Sequence, residues 1–367
     1  GAEGVAEGLE NRAEEAVTKE AKTRAWLDRF VASTQGLMVK VKILIALWQV
    51  LGALGIVFDI PYPRLYDKAI AWLSSIVQID LPSLMPFGCV QSINFYGMLV
   101  FRTLVPLMLM IALVGLGQLA SVYKWEVARD RCRVACFYVL FLIYPSCSAA
   151  IFTNFVCDSL PDGSRYLRVD YSIDCEDSSR AGMLAYSWIM FFVYPVGTPL
   201  VFYLFLRQPR EAHLIQRISR HEHAAISLCQ LEKHRQVEKR SGRRRADSCT
   251  RNRASSAEAR PVHQKSPDWH DAEAERLRKK LSPFVAKLTD GYEMRCANFE
   301  IFECVRKIFL VGIPALFEHG SVEQFMFGMF VCFVSYGMYA FWNPYADSND
   351  DRLQTAAQIE IFCALMS

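Results

Sequence analysis

Charge is scarce in this sequence. Only 22% of its 367 residues are charged, and they crowd into the first thirty or so positions and one block from about Arg207 to Arg295. The rest is nearly charge-free over long stretches, while 52% of the chain is hydrophobic. A soluble protein of this length carries less apolar residue and more charge. Metal and redox spacings are missing as well. There are twelve cysteines but no C-x-x-C pair and no zinc-type arrangement, which argues against a metal or dithiol centre. Cys147, Cys304, Cys332 and Cys363 fall in apolar runs and read as small hydrophobes. No P-loop, G-x-S-x-G, H-E-x-x-H or kinase loop occurs, and Gly115-Leu116-Gly117 lies inside an apolar run, where it cannot cradle a nucleotide. No enzyme activity, cofactor or metal is therefore expected. The chain opens at Gly1 without a signal peptide and stops at Ser367 within an apolar run, so a fragment of a longer protein is expected.

Apolar length is what the sequence has. A helix needs roughly 20 mostly apolar residues to cross the hydrocarbon core. Six stretches meet that test: Leu37–Phe58, Phe95–Ala120, Val134–Phe155, Leu184–Leu206, Asn298–Phe317 and Val322–Trp342. A seventh begins near Leu353 and is cut off at the end. Backbone polar groups cannot go unpaired in lipid, so such runs must be helical. The expected fold is an all-α, polytopic transmembrane helical bundle of six full spans and a truncated seventh. Its parts are a helical lead-in over 1–36, spans one to four over 37–206, a basic loop over 207–297, and the remaining spans over 298–367. Between spans one and two, Ile70, Leu73, Ile76 and Val77 recur at helical spacing in Tyr66–Ile79. That segment is too short to span. A helix lying in the interface and a helix packed on an external loop both fit it.

Lys and Arg in short loops report the cytoplasmic side. Lys124, Arg129, Arg131 and Arg133 follow span two, and a dense basic set follows span four. Both loops belong inside, with the N-terminal segment. The loop between them, Val156–Gly182, carries six acids and falls outside. Cys157 and Cys175 share that loop, where oxidising conditions favour a disulfide; pairing of each with a partner elsewhere, Cys89 among them, is the alternative. The middle of the basic loop, Lys239–Ser266, has almost no large apolar residue and is expected to be disordered, with helical flanks at about Glu211–Val237 and Asp271–Leu288. Arg243, Arg244 and Arg245 could meet anionic lipid headgroups, and phosphate on Ser248 or Ser255 would weaken that contact. A topogenic loop without a ligand is the plainer alternative. His221, His223, Cys229 and His234 read as solvated surface rather than metal ligands, because residues two apart on a helix do not share a face.

Charged residues within spans are costly and mark function by default. Arg102 in span two either snorkels outward or faces the bundle. Glu303 and Arg306 are three apart and share a face, so they could pair; Lys307 is expected to snorkel to the inner interface. Glu360 is a further buried-acid candidate. Pro106, Pro145, Pro195, Pro199 and Pro314 lie inside spans, where each frees a carbonyl and bends the helix. Gly52, Gly55, Gly115 and Gly117 are expected to allow close helix packing.

Several short motifs occur together: Gln49 and Pro61-Tyr62-Pro63, Cys89, Tyr144-Pro145, Gly163–Asp170 before Cys175, Tyr194-Pro195, Gly291-Tyr292-Glu293 through Glu303 to Arg306-Lys307, and Asn343-Pro344-Tyr345. From Leu37 onward this pattern resembles the C-terminal multi-pass module of surface proteins with cysteine-rich, ephrin-receptor-like repeats, itself similar to the transient-receptor-potential-like membrane domain. The resemblance implies an upstream ectodomain, at least one earlier span and ion transport. A receptor or adhesion protein anchored by these spans is the alternative. The expected partners are the lipid bilayer, with plasma membrane as its location, then anionic headgroups and a second copy of the chain; nucleic acid is not expected.

Overall fold

A computed structural model of the chain describes residues 36–246 and 266–366, apart from 56, 59, 61, 78–93 and 319. Five helices are long and apolar enough to cross a membrane: α1 (Gly36–Gly55), α3 (Phe95–Val122), α4 (Glu126–Thr153), α5 (Ser179–Arg207) and α10 (Val322–Trp342). By length and composition the chain is a membrane protein. Each of the five coincides with an expected span, although α4 begins eight residues before its apolar run, at Glu126.

The expected fifth span behaves differently. Asn298–Phe317 is not one apolar helix. It is α9 (Phe299–Lys307), then a π turn over Ile308–Gly312, then a 3-10 turn over Ile313–Leu316. The expected seventh is α11 (Ser348–Met366), which begins at Ser348 rather than near Leu353 and is too polar to count as a span by composition. Its course is nevertheless parallel to α1. At one end Lys40 Nζ lies 2.6 Å from Asp350 Oδ1; at the other the Tyr62 hydroxyl donates to the Ala364 carbonyl at 3.2 Å. Between them Val50, Leu54, Phe58, Leu310, Val331, Ile361 and Leu365 form a common core.

Helix α2 (Arg64–Val77) follows the α1 exit. Ile70 is buried while Leu65 and Trp72 stand exposed, an amphipathic division that fits an interfacial helix and a helix packed on a loop alike. The acidic loop after α4 is not purely irregular. It folds as a three-stranded antiparallel sheet of β1 (Cys157–Ser159), β2 (Arg165–Leu167) and β3 (Asp170–Asp174). A disulfide joins Cys157 and Cys175, with Cα atoms 6.5 Å apart. Arg168 ties the sheet to the helices: Nε donates to Asp158 at 2.7 Å and Nη1 to the Phe317 carbonyl at 2.7 Å. Asp170 accepts the Phe95 backbone N–H that opens α3. Its carboxyl is held below the usual range, first by the Ser172 hydroxyl and then by that N–H.

On the opposite side, the basic loop forms α6 (Pro209–Ala246), α7 (Pro267–Arg278) and α8 (Pro283–Leu288). Ile218, Leu277, Phe284, Val285 and Leu288 pack with Phe137 and Phe202 of α4 and α5, so the loop's flanks belong to the core. The expectation of disorder from Lys239 is corrected as far as Ala246, where α6 is still helical. Lys, Arg, Glu and Gln are good helix formers and need no core to be so. Arg243, Arg244 and Arg245 lie on this last stretch; Ser248, Ser255 and Cys89 lie outside the described residues.

Proline sites within the helices are repaired by side chains of neighbours. Pro106 lacks the N–H that would bond the Arg102 carbonyl. The Cys147 thiol donates there at 3.3 Å, and the Tyr194 hydroxyl donates to the next carbonyl, Thr103, at 2.7 Å. Gln49 Nε2 reaches the Leu142 carbonyl beside Pro145. Pro195 sits in a π turn over Phe192–Val196, with Pro199 in the first turn beyond it. Gln324, fully buried, donates to the carbonyls of Val57 and Pro314 at 2.8 and 2.9 Å.

Glycine packing is met at some of the expected positions: a Cβ at Gly55 would meet the Tyr62 ring at 3.1 Å and one at Gly117 the Cys132 Cβ at 3.5 Å. Gly115 faces open space, whereas a Cβ at Gly312 would run into the Phe152 ring at 2.5 Å. Gly312→Ala is expected to lower stability by about 1–3 kcal/mol, as overpacking does, while Gly115→Ala stays within about 0.5 kcal/mol; thermal unfolding in detergent measures both. Cys157 and Cys175 should resist thiol labelling of unreduced protein. Their joint replacement by Ala should cost about 3 kcal/mol for a loop of this length, read by the same unfolding assay.

Candidate functional site

The charged residues of α9 converge on one buried cluster. Glu300, Glu303 and Lys307 recur at three- and four-residue spacing along one face, with Arg306 beside them. All four are buried, at 2, 6, 3 and 4% exposure for Glu300, Glu303, Arg306 and Lys307. Arg306 donates to Glu303 through both Nε and Nη2, at 3.2 and 2.8 Å, so the expected pair forms. Its Nη1 reaches Gln358 Oε1 of α11 at 3.5 Å. Lys307 does not snorkel. Its Nζ donates to Gln49 Oε1 of α1 at 3.1 Å and stands 4.8 Å from the centre of the Phe141 ring. A polar partner stands one helix away, and the ammonium stays within the bundle. One turn toward the basic side, Lys42 Nζ lies 2.5 Å from Glu300 Oε2 and 4.9 Å over the Tyr292 ring.

The site is closed at its basic end by two backbone segments. Tyr292 and Tyr345 form a short bridge, flanked by Glu293 N–H to the Pro344 carbonyl and Ala346 N–H to the Gly291 carbonyl, both 2.9 Å. Gly291 has φ +85°, and a Cβ there would collide with Val39; Asn343 ends α10 in the left-handed conformation. Both are positions that favour Gly or Asn. The Tyr292 hydroxyl donates to Glu300 at 3.1 Å. Burial, and then the Glu300 charge, push its phenol well up, so it remains a donor.

Three cations, Lys42, Arg306 and Lys307, thus meet two anions, Glu300 and Glu303. Two of the cations face carboxylates directly; Lys307 rests on an amide oxygen and an aromatic face. Of the other intramembrane candidates, Arg102 lines a cavity of about 170 Å³ with Gln49, Pro145 and Val169. Glu360 is not buried. It is exposed and accepts the Tyr66 hydroxyl at 3.0 Å, because its helical phase points toward α2. Among the described residues no group of three or more His, Cys, Asp or Glu is placed to hold a metal; His221 Nδ1 instead faces His270 Nδ1 at 3.0 Å.

No family model, curated protein or solved structure matches the chain. The site is therefore read from its own residues. Gln49, Tyr292-Glu293, Glu303, Arg306-Lys307 and Pro344-Tyr345 come together at or beside this cluster. Sequence reasoning missed Lys42 and Glu300 as partners, Gln324 and Gln358 as buried amides, and Arg180, which is buried and donates to the Asn154 side chain at 3.1 Å. The signal for Lys42 and Gln49 was present: seven residues apart, they share one face of α1.

Glu303→Gln strands Arg306 in the interior and is expected to destabilise by about 3–5 kcal/mol, whereas Glu303→Leu with Arg306→Met should be near neutral or stabilising. Unfolding midpoints of the purified variants in detergent decide between these outcomes.

Proposed function

We propose that the chain is the multi-pass part of a channel-like or transport protein of the plasma membrane, with the basic loop cytoplasmic and ions as cargo. The observation that carries this reading is the buried cluster of Lys42, Glu300, Glu303, Arg306 and Lys307. A charge at the centre of a span costs about 2.5–3.5 kcal/mol even on the mildest scale, and such groups mark ion pathways and relays. Two π turns, Phe192–Val196 and Ile308–Gly312, supply local irregularity of the kind found at functional sites. The second directly follows Lys307. The relation to the transient-receptor-potential-like module, and assembly as a homo-oligomer, belong to the same proposal. Exposure of α3 supports the latter: only 17% of its apolar window is buried within one copy, which leaves its surface for lipid or a neighbour.

A second reading has its own support. Each charge of the cluster is met within the chain, and that suits a rigid anchor for a receptor or adhesion protein with an upstream ectodomain. No catalytic role is proposed.

Full-length protein in liposomes separates the two. Under the first reading K⁺, Na⁺, Ca²⁺ or Cl⁻ flux appears, and Lys307→Met alters the rate or the cation/anion preference about tenfold, a difference of about 1.4 kcal/mol in barrier. Absence of flux for all four ions, across voltage and osmotic stimuli, leaves the anchor.

A further inference from the structure

On the basic side, two cavities of about 490 and 780 Å³ adjoin and share Arg129, Arg133, Arg210 and Ser282 as walls. The first is an apolar cleft. Leu113 and Gly117 of α3, Leu140 of α4, and Val201 and Phe205 of α5 line it, with Phe284 at its end. The second is more polar than the first and adds Lys279 and Lys280. Together the walls hold five cationic residues, Arg129, Arg133, Arg210, Lys279 and Lys280, against two acids, Asp130 and Glu211.

The acids do not neutralise this rim. Asp130 is shared by Arg129 at 3.2 Å and Arg133 at 3.8 Å. Glu211 is buried and accepts the Ser282 backbone N–H at 3.2 Å. Glu126 and Glu275 flank the rim at 3.4 Å from Arg129 and 3.6 Å from Lys279, and both are exposed, where such pairs are worth little. Ser282 Oγ, in the wall common to both cavities, is buried without a hydrogen-bond partner. The depth is also marked. Tyr123 and Trp125, at the α3–α4 turn, are exposed at 66 and 65%, and such aromatics sit at headgroup level.

A cationic, hydrogen-bonding chamber at that level, continuous with an apolar cleft between lipid-facing helices, has the two chemistries of one ligand. We propose that it binds an anionic glycerophospholipid whose headgroup bears a phosphomonoester. The phosphate meets Arg133, Arg210 and Lys280 and takes the Ser282 hydroxyl; an acyl chain lies between α3 and α5 over Gly117. An excess of three positive charges calls for a dianionic phosphate rather than a zwitterionic headgroup. The site is distinct from the Arg243–Arg245 run, and the proposal stands whether or not the chain conducts.

Native mass spectrometry of the full-length protein in detergent, with dioleoyl phosphatidic acid added, tests it. Phosphatidic acid should be retained at least about tenfold more than dioleoyl phosphatidylcholine. Arg133→Gln with Lys280→Gln, both at exposed positions, should lower retention about tenfold or more, the effect of two cations at a membrane surface. Gly117→Leu should lower it as well by filling the cleft, its Cβ meeting only Cys132 at an ordinary 3.5 Å. Replacing Arg243, Arg244 and Arg245 by Gln should leave it unchanged. Undiminished retention in both cleft variants overturns the proposal. So does loss confined to the Arg243–Arg245 variant, equal retention of phosphatidylcholine, or displacement by glycerol 3-phosphate at equal concentration, which would make the chamber a soluble-phosphate site.

Discussion

The architecture depends on keeping four charged side chains of one short helix away from lipid. Glu300, Glu303, Arg306 and Lys307 occupy α9 within eight residues, and none is more than 6% exposed. Hydrocarbon offers such groups no partner. Each must be answered by protein, and the answers come from elements far apart in sequence: Lys42 and Gln49 on α1, Gln358 on α11, Tyr292 before α9. That requirement places α1 and α11 against α9. It also explains why α11 can lie along α1 although its composition alone would not hold it in a membrane.

A second constraint acts on the backbone. Prolines and π turns leave carbonyls without helical partners, and at membrane depth water cannot supply them. Cys147 does so for the Arg102 carbonyl, and Tyr194, Gln49 and Gln324 add donors to carbonyls near the other breaks. Gln49 has both duties at once: its amide nitrogen serves the Leu142 carbonyl and its oxygen takes the Lys307 ammonium. An uncharged amide can donate from its nitrogen and accept at its oxygen at the same time. Leucine would fill the same volume while leaving both partners unmet.

These two constraints decide what was legible in the sequence. Five spans were readable because lipid-facing helices announce themselves by apolar length, and the Cys157–Cys175 bridge because two cysteines shared one acidic loop. The pair Glu303–Arg306 was readable from spacing alone. Partners across the bundle were not. Lys307 and Gln49 are 258 residues apart, and no local window connects them, so snorkelling seemed the cheaper end for Lys307. The same blindness made Asn298–Phe317 look like an ordinary span and Glu360 look buried. The length of α6 was hidden for a different reason: the absence of apolar residues argues against a core, but not against a helix.

Chain order adds a last consequence. Helix α1 is synthesised before α9, and α11 after it. When α9 forms, Lys42 and Gln49 are already available to meet Glu300 and Lys307, whereas Gln358 is not. Glu303 and Arg306 satisfy one another within the helix, and among the described side-chain hydrogen bonds of the four α9 charges the one that must wait is the weakest, the 3.5 Å contact from Arg306 to Gln358. The stronger contacts are thus local or made with an earlier helix. Gln324 then joins the exit of α1 to the end of the α9 segment as α10 folds back. Pairing within α9 and with a preceding helix lets so polar a segment find its partners before the bundle is complete, which a cluster drawing its counter-charges from α11 could not do.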